Sequence, residues 1–425
     1  MKKAIKLVGV LTAVFALMFT VACGNGEKDN ASAGNGEKTL TLGVWKGTEA
    51  ENTTRKKLIA DFEKASGIKV KEKVYNDYET QLQTDLVGGT APDVFYVDAY
   101  LAPSLIEKKV LAPLDDYITK AKDFDTEDFY KPVYKAFTGE DKAQYGLPKD
   151  YSTLGIFYNQ KMFADAGIDP NTIPTTADKM GAFLENLKAK LPKDVVPSAF
   201  TADLARQMYI AQSSGEPIIT KDGYSNLDNP KIITALQPLV DWYQKGLIKR
   251  PADLGQDWSG DSFGAGKAAM MVEGNWAIAH LEQNFPDVKF GTKEVPTIEG
   301  KKGTMVFTVS YAMNAAAKDK DAAWELIEYF TGKTGMKTWA EGASVLPSRQ
   351  SVAKEMNIES DAILQPFVAG AEYATPWQDG TTLSIVSDQY KNMLPSALKG
   401  EMTLKEAMKK ATETANNDIK TQLKN

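Results

Sequence analysis

The sequence predicts an α/β protein. Three observations carry that expectation: short alternating or apolar runs that read as strands, amphipathic segments between them, and enough chain for more than one core. From residue 39 to residue 98 the order is strand, helix, strand, helix, strand, the pattern of an open α/β sheet. Residues 39–46 (TLTLGVWK) set Leu40, Leu42 and Val44 on one face. Residues 49–66 carry Leu58, Ile59 and Phe62 at helical spacing, and Gly67 is a natural C-terminal stop. Residues 69–75 alternate again. Residues 77–87 put Tyr78, Leu82 and Leu86 on one helical face before Gly88 and Gly89. DVFYVD (93–98) is a short apolar run suited to a buried parallel strand.

A second region of the same kind starts near Leu154, where GIFYN (155–159) is a strand candidate. Residues 175–191 read as a helix with Met180, Phe183, Leu184 and Leu187 inward. Residues 231–245 and 319–331 are further amphipathic helices, the latter with Trp324, Ile327 and Phe330 toward a core. From Thr403 onward, Leu404, Ala407, Met408 and Ala411 form one stripe. No internal repeat is visible. The 425 residues suffice for two domains of the usual ~100–200 residues each.

The chain opens with a basic start (Lys2, Lys3, Lys6), and residues 7–22 are almost wholly apolar, too short for a good membrane span. The only cysteine, Cys23, follows, then a stretch rich in Gly, Asn, Ser and charge over residues 24–38. This order resembles a bacterial lipoprotein, in which residues 1–22 are removed and Cys23 carries lipid; Thr20 stands where Leu is usual. The alternative is an ordinary secretory signal. Both place the working part outside the cell. With one cysteine there is no internal disulfide, and structural zinc and cysteine nucleophiles are excluded.

A net charge of −6 argues against nucleic acid, whose binding needs basic surface. Only Arg55, Arg206, Arg250 and Arg349 are arginines; arginine is the preferred grip on phosphate and carboxylate, so its scarcity favours an uncharged ligand. The single histidine, His280, reads as a surface or helix residue and leaves no His-based acid–base, triad or metal chemistry. No HExxH, phosphate-binding loop or calcium loop occurs, and no metal or cofactor is expected. A carboxylate pair for glycoside hydrolysis is defined in space and has no positive signal in the sequence.

The seven tryptophans are better evidence. Trp45, Trp258, Trp276 and Trp377 lie beside polar or acidic residues at the ends of expected strands. A sugar ring offers an apolar C–H face to an aromatic plate and a hydroxyl rim to carboxylates and amides. For each of these four, a sugar plate and a core residue are both open readings; Trp242 and Trp324 read as helix packing.

On these residues the chain resembles the family 1 extracellular solute-binding proteins, the maltose-binding-protein-like receptors of sugar ABC importers. The likeness runs from Thr39 to the C-terminus through FEKASGIKV (62–70), GGTAPDVFYVD (88–98), YNQKMFADAGI (158–168), GAGKAAMMVEGNW (264–276), AAWELIEYFTG (322–332), VLPSR (345–349) and ALKGEMTLKEAMKKA (397–411). It departs at Ser310-Tyr311, where many members have a glycine pair.

The resemblance implies a two-lobed fold, each lobe an open, mostly parallel sheet flanked by helices. The N-terminal lobe is expected over 39–145 plus 315–344 and the C-terminal lobe over 146–306 plus 346–425. Hinges are expected near 144–149, 307–314 and 345–350. It also implies sugar contacts at Trp276 and Trp377 as plates, at Glu49, Asp98, Tyr100, Asp150, Tyr151, Asp203 and Arg206, and at Trp45, Trp258 and Tyr311. The implied function is capture of an oligosaccharide, maltodextrin or related α-glucoside favoured, and delivery to the permease subunits of an ABC importer. The implied receptor is monomeric, not an enzyme, and held at the membrane by lipid alone. A binding protein for a polyamine or glycerol phosphate, or an exported glycoside hydrolase, are the alternatives.

Overall fold

A computed structural model describes residues 38–422. The expected signal, Cys23 and nearly all of the tether lie outside the described residues.

The opening expectations hold closely. Strand β1 is Thr39–Trp45, a helix covers Glu49–Ser66, β2 is Lys69–Tyr75, a helix covers Tyr78–Gly88 and β3 is Val94–Asp98. Local chemistry sets these bounds. Thr48 and Glu51 form a capping box at the first helix, and Gly67 ends it at φ 74°, a conformation that costs glycine little.

The remaining strands are β4 (Gly146–Asn159), β5 (Val196–Ala199), β6 (Ile248–Lys249), β7 (Ala268–Gly274), β8 (Phe290–Glu294), β9 (Met305–Met313) and β10 (Thr375–Pro376). The sheet order is β2-β1-β3-β9-β4-β7-β5-β6, with β10 beside β9 and β8 beside β4. The outer pairs β1/β2, β1/β3, β5/β6 and β5/β7 are parallel, whereas β9 is antiparallel to β3 and β4, and β4 to β7 and β8. The sheet is therefore mixed at its centre rather than mostly parallel. The reason is topological: β4 carries the chain out of one core, and β9 brings it back alongside.

Apolar side chains divide into separate cores along those two strands. The first core joins Leu40, Leu42, Val44, Phe62, Val94, Val97, Ile327, Phe330 and Trp339, and takes Leu147 from β4 and Val309 from β9. A second, with Leu187, Met208, Leu236, Tyr390 and Met408, takes Leu154 and Ile156 from β4 and Met305 from β9. A third, on the other sheet face, holds Tyr151, Phe157, Phe263, Leu281, Val306 and Phe367. The change of core falls between Leu147 and Tyr151 on β4, and between Val309 and Val306 on β9. The third passage follows Ser344, whose φ is 55°: Val345 packs on the first core and Leu346 in the third.

Strand β4 begins well before GIFYN. Its start falls in the passage expected as a hinge near 144–149 and includes Pro148, which cannot donate a ladder hydrogen bond. The strand absorbs this in a bulge between Pro148 and Asp150, with Lys149 as the extra residue.

Buried Arg349 fastens the segment before β4. Its guanidinium sits 4.1 Å from the Phe129 ring centroid, its Nε donates to Thr331 O at 2.6 Å, and its Nη1 reaches Asp125 O at 2.7 Å and Asp128 at 3.2 Å. Among the described residues no helix is long and apolar enough to cross a membrane.

Candidate functional site

The central strands line up a row of side chains where the cores change. Val309 of β9 is the register partner of Asp98 on one side and of Asp150 on the other. Directly opposed residues share a face, and so do residues two apart along a strand, so Phe307, Val309, Asp98 and Asp150 lie on the same side of the sheet. At the Phe307 end stands Trp276, its ring edge-on to Phe307 at 5.3 Å between centroids.

Trp276 opens the helix Trp276–Asn284 directly after β7. Two contacts fix its position. A Cβ on Gly274 would come within 2.1 Å of the indole, so the ring lies flat over bare backbone. The side-chain oxygen of the preceding Asn275 accepts from the Thr153 N–H at 3.2 Å, tying this corner to β4. The Arg206 guanidinium lies 5.4 Å from the indole centroid.

Arg206 is held by two acids. Its Nη1 donates to Asp203 at 3.0 Å and its Nη2 to the fully buried Glu273 at 3.1 Å. Burial works against the guanidinium charge, but Glu273 and Asp203 outweigh it and raise its pKa. Asp203 also caps its helix by accepting from the Arg206 N–H at 2.9 Å, and Thr201 donates to Glu273 at 3.0 Å. The result is a preorganised half-buried face of one indole, one guanidinium and the Asp203 carboxylate, with buried Glu273 fixing the guanidinium.

On the first-core side, Lys149 pairs with Asp150, and the Trp339 indole N–H donates to the same carboxylate at 2.8 Å. Burial works against the Lys149 charge, and Asp150, Tyr96 and Glu51 together outweigh it and raise its pKa. Asp98 forms no ion pair among the described residues: burial pushes its carboxyl up to about 7, Glu79 and Asp150 adding to this while the Tyr100 N–H and the more distant charge of Lys149 oppose it. The Tyr100 hydroxyl donates to Glu79, and its ring packs against the second core although it follows β3. Gln378, just beyond β10, also crosses, donating to Ala99 O at 2.6 Å and Ala136 O at 2.7 Å.

The structure thus brings Asp98, Tyr100, Asp150, Asp203, Arg206 and Trp276 to the meeting of the cores. Trp45 stands at the end of β1, half-buried, edge-on to Tyr78 and Tyr96 at 5.1 and 4.8 Å. Glu49 is exposed at the start of its helix; its neighbour Glu51 makes the cap.

Four of the expected contacts are placed elsewhere. Tyr151 is 1% exposed in the third core, because the bulge at Lys149 turns it to the sheet face opposite Asp150. Tyr311 faces the row's side of β9 but is likewise 1% exposed, packed between Tyr96 and Phe330. Trp377 lies largely within the second core, leaving its neighbour Gln378 to reach across. Trp258 turns to His280, ring centroids 4.7 Å apart, and not to Trp276; His280 itself is half-buried on a helix and bonded to Asp261.

Sequence reading missed Glu273, Glu79, Lys149, Phe307 and Gln378 as members of this group. Glu273 carried a signal, an acid closing the apolar run AAMMV, but its partner lies 67 residues away.

Two cores joined by long shared strands, with a polar–aromatic face where they meet, define a solute-binding architecture. The chain belongs to the bacterial extracellular solute-binding protein family, whose profile matches residues 46–337, more than half its length. Among known proteins it is 25% identical over 418 residues to a galactooligosaccharide-binding protein of Bacillus subtilis, covering 94% of each chain. It is also 25% identical over 443 residues to a maltooligosaccharide ABC transporter solute-binding lipoprotein of Streptococcus pneumoniae, covering 98% of each. The sugar-binding protein MalE of Xanthomonas citri shares the two-lobed α/β fold at a TM-score of 0.79, with 21% identity over 91% of this chain and 98% of that one.

Proposed function

We propose that this protein is a receptor that takes a neutral oligosaccharide between its two lobes and hands it to an ABC importer. The observation that carries this reading is the Trp276–Arg206–Asp203 face standing beside the Asp98–Val309–Asp150 row. The indole offers a plate for a sugar ring, and the fixed carboxylates and guanidinium match a rim of hydroxyls. Such groups, already hydrogen-bonded in place, penalise a ligand lacking the matching hydroxyl.

The charge pattern supports a neutral ligand. Each of the four arginines is engaged by a carboxylate: Arg55 by Glu72, Arg206 by Glu273 and Asp203, Arg250 by Asp253, and Arg349 by Asp128. No arginine is left to grip a phosphate. Lys149 offsets Asp150, and Arg206 offsets its acids, which leaves little for a polyamine beyond Asp98 and Glu79.

The lobes in this reading are 39–145 plus 315–344 and 146–306 plus 346–425. The hinges are the passages where the chain changes core, near 144–149, 307–314 and 345–350, and closure is driven by ligand contacts that need both lobes. Relatives named for galactooligosaccharide and maltooligosaccharide support an oligosaccharide, with α-glucosides favoured. Relatives named as binding proteins support capture without turnover. Cys23 serves as a lipid anchor outside the cell, and residues 24–38 as a tether reaching roughly 5–6 Å × √n, tens of ångströms.

The experiment is a calorimetric titration against maltose, longer maltodextrins, galactooligosaccharides, raffinose, cellobiose, glycerol phosphate and spermidine, with chromatography of the recovered ligand. One neutral series should bind and return unchanged. Binding only of a charged solute, or consumption of the sugar, would replace this reading with a polyamine or phosphate receptor or a hydrolase. For the anchor, Cys23→Ala should move the protein from the membrane fraction to the medium.

A further inference from the structure

A well-formed cavity among the described residues lies away from the meeting of the cores, with every lining residue in the stretch assigned above to the C-terminal lobe. It encloses about 650 Å3, and every residue lining it falls between Ile156 and Gly300. It lies among the helices Met180–Lys190, Leu204–Gln212 and Pro230–Gln244, over β4, β5 and β7. Its walls are mainly apolar, with Met180, Leu184, Ile210, Leu239, Met270 and Trp242 among them, and its size is that of a small-molecule pocket.

Three polar atoms in this wall lack hydrogen-bond partners among the described residues: Gln207 Oε1, Arg206 Nε and Thr176 Oγ1. Gln207 is 2% exposed, and its amide nitrogen is already committed to Thr201 O at 2.6 Å. A buried acceptor left unmade is costly, so the unused oxygen points to something that donates to it. Arg206 Nε is a donor with the opposite need. A hydroxyl can meet either need, since it donates once and accepts twice.

We propose that this cavity is a second binding site, for a neutral amphipathic molecule with an apolar body and a hydroxyl head: a phenol or alcohol. Charge in the head is disfavoured because the unpartnered Nε belongs to Arg206, whose charge is already held by Asp203 and Glu273, while the other charged lining residues, Asp178, Lys231 and Glu299, are exposed. Arg206 also faces Trp276, so the two sites share a side chain. A ligand bonded to its Nε acts on the guanidinium that the first site uses, and any change in sugar affinity must be matched by the reciprocal change in affinity for the alcohol.

The test uses 2-naphthol and, as the matched hydrocarbon, naphthalene, titrated into the protein by calorimetry and fluorescence. The expected result is saturable one-to-one binding, with naphthol tighter by about five- to tenfold, the size of one or two net hydrogen bonds. Ala235→Phe, which fills the half-buried wall, should abolish both while leaving sugar titration and the thermal transition unchanged. Gln207→Met should keep naphthalene binding and collapse the naphthol preference to less than twofold, a ratio that decides the matter even if Ala235→Phe proves unstable. Absence of saturable binding, equal affinities in the unsubstituted protein, or binding that survives in a folded Ala235→Phe variant would each overturn the proposal. None of these outcomes depends on which sugar the first site takes.

Discussion

Asp98→Asn should make the protein more stable, and increasingly so as pH rises. In the folded chain burial lifts the Asp98 carboxyl from its ordinary 3.8 to about 7. A carboxyl raised in this way keeps its proton in the native state where the unfolded chain has already released it. The native state then binds more protons between pH 4 and pH 7, so stability falls as pH climbs through that window. A rise from 3.8 to about 7 corresponds to roughly 4 kcal/mol, nearly all of it lost by about pH 8 and little of it at pH 4. Asparagine has no such cost and keeps an oxygen for the Tyr100 N–H, which now bonds Asp98 at 3.3 Å. Urea melts of both proteins from pH 4 to pH 8 would read this out. The midpoints should nearly coincide at pH 4 and separate progressively above it. Parallel curves across the range would refute the assignment of Asp98 as a carboxyl that holds its proton in the folded chain. The same variant should bind sugar more weakly, stability being sacrificed here to keep an ionisable group in the cleft.

Trp276→Ala should weaken sugar binding about 30-fold, roughly 2 kcal/mol of lost ring contact, with little change in melting; unchanged calorimetric affinity would remove the indole from the site. Gly274→Ala should approach the same loss with the tryptophan present, because the new methyl takes the space of the ring; an affinity equal to that of the parent would contradict the close approach. Arg349→Ala should cost about 3–5 kcal/mol in chemical denaturation by stranding buried Asp128 and several carbonyls, while sugar affinity measured on the folded fraction stays within about twofold.

The sequence made the periodic elements legible and the others not. Residues 39–98 alternate or repeat cleanly because each strand has one partner sheet face and each helix one buried stripe. The central strand β9 (MVFTVSYAM) has neither, being covered on both sides, and nothing in its pattern separates a strand from a buried crossover. In β4 the obstacle was Pro148-Lys149-Asp150, which is a bulge. That single inserted residue also accounts for Tyr151. Without it Tyr151 would pair with Phe307 and face the row; with it Tyr151 pairs with Thr308 and enters the third core. Trp276 was legible as an aromatic beside an acid. Its companions Arg206 and Glu273 lie 67 residues apart, and only the pairing of β5, β7 and their helices brings them together.

The measurement that bears most directly on the central claim is a crystal structure with the oligosaccharide selected by titration. The account predicts a sugar ring on the Trp276 indole, hydroxyls bonded to Arg206 or Asp203 on one lobe and to Asp98 or Asp150 on the other, and both lobes in contact with one ligand. A sugar bound to one lobe alone, or away from the strands β4 and β9, would contradict it.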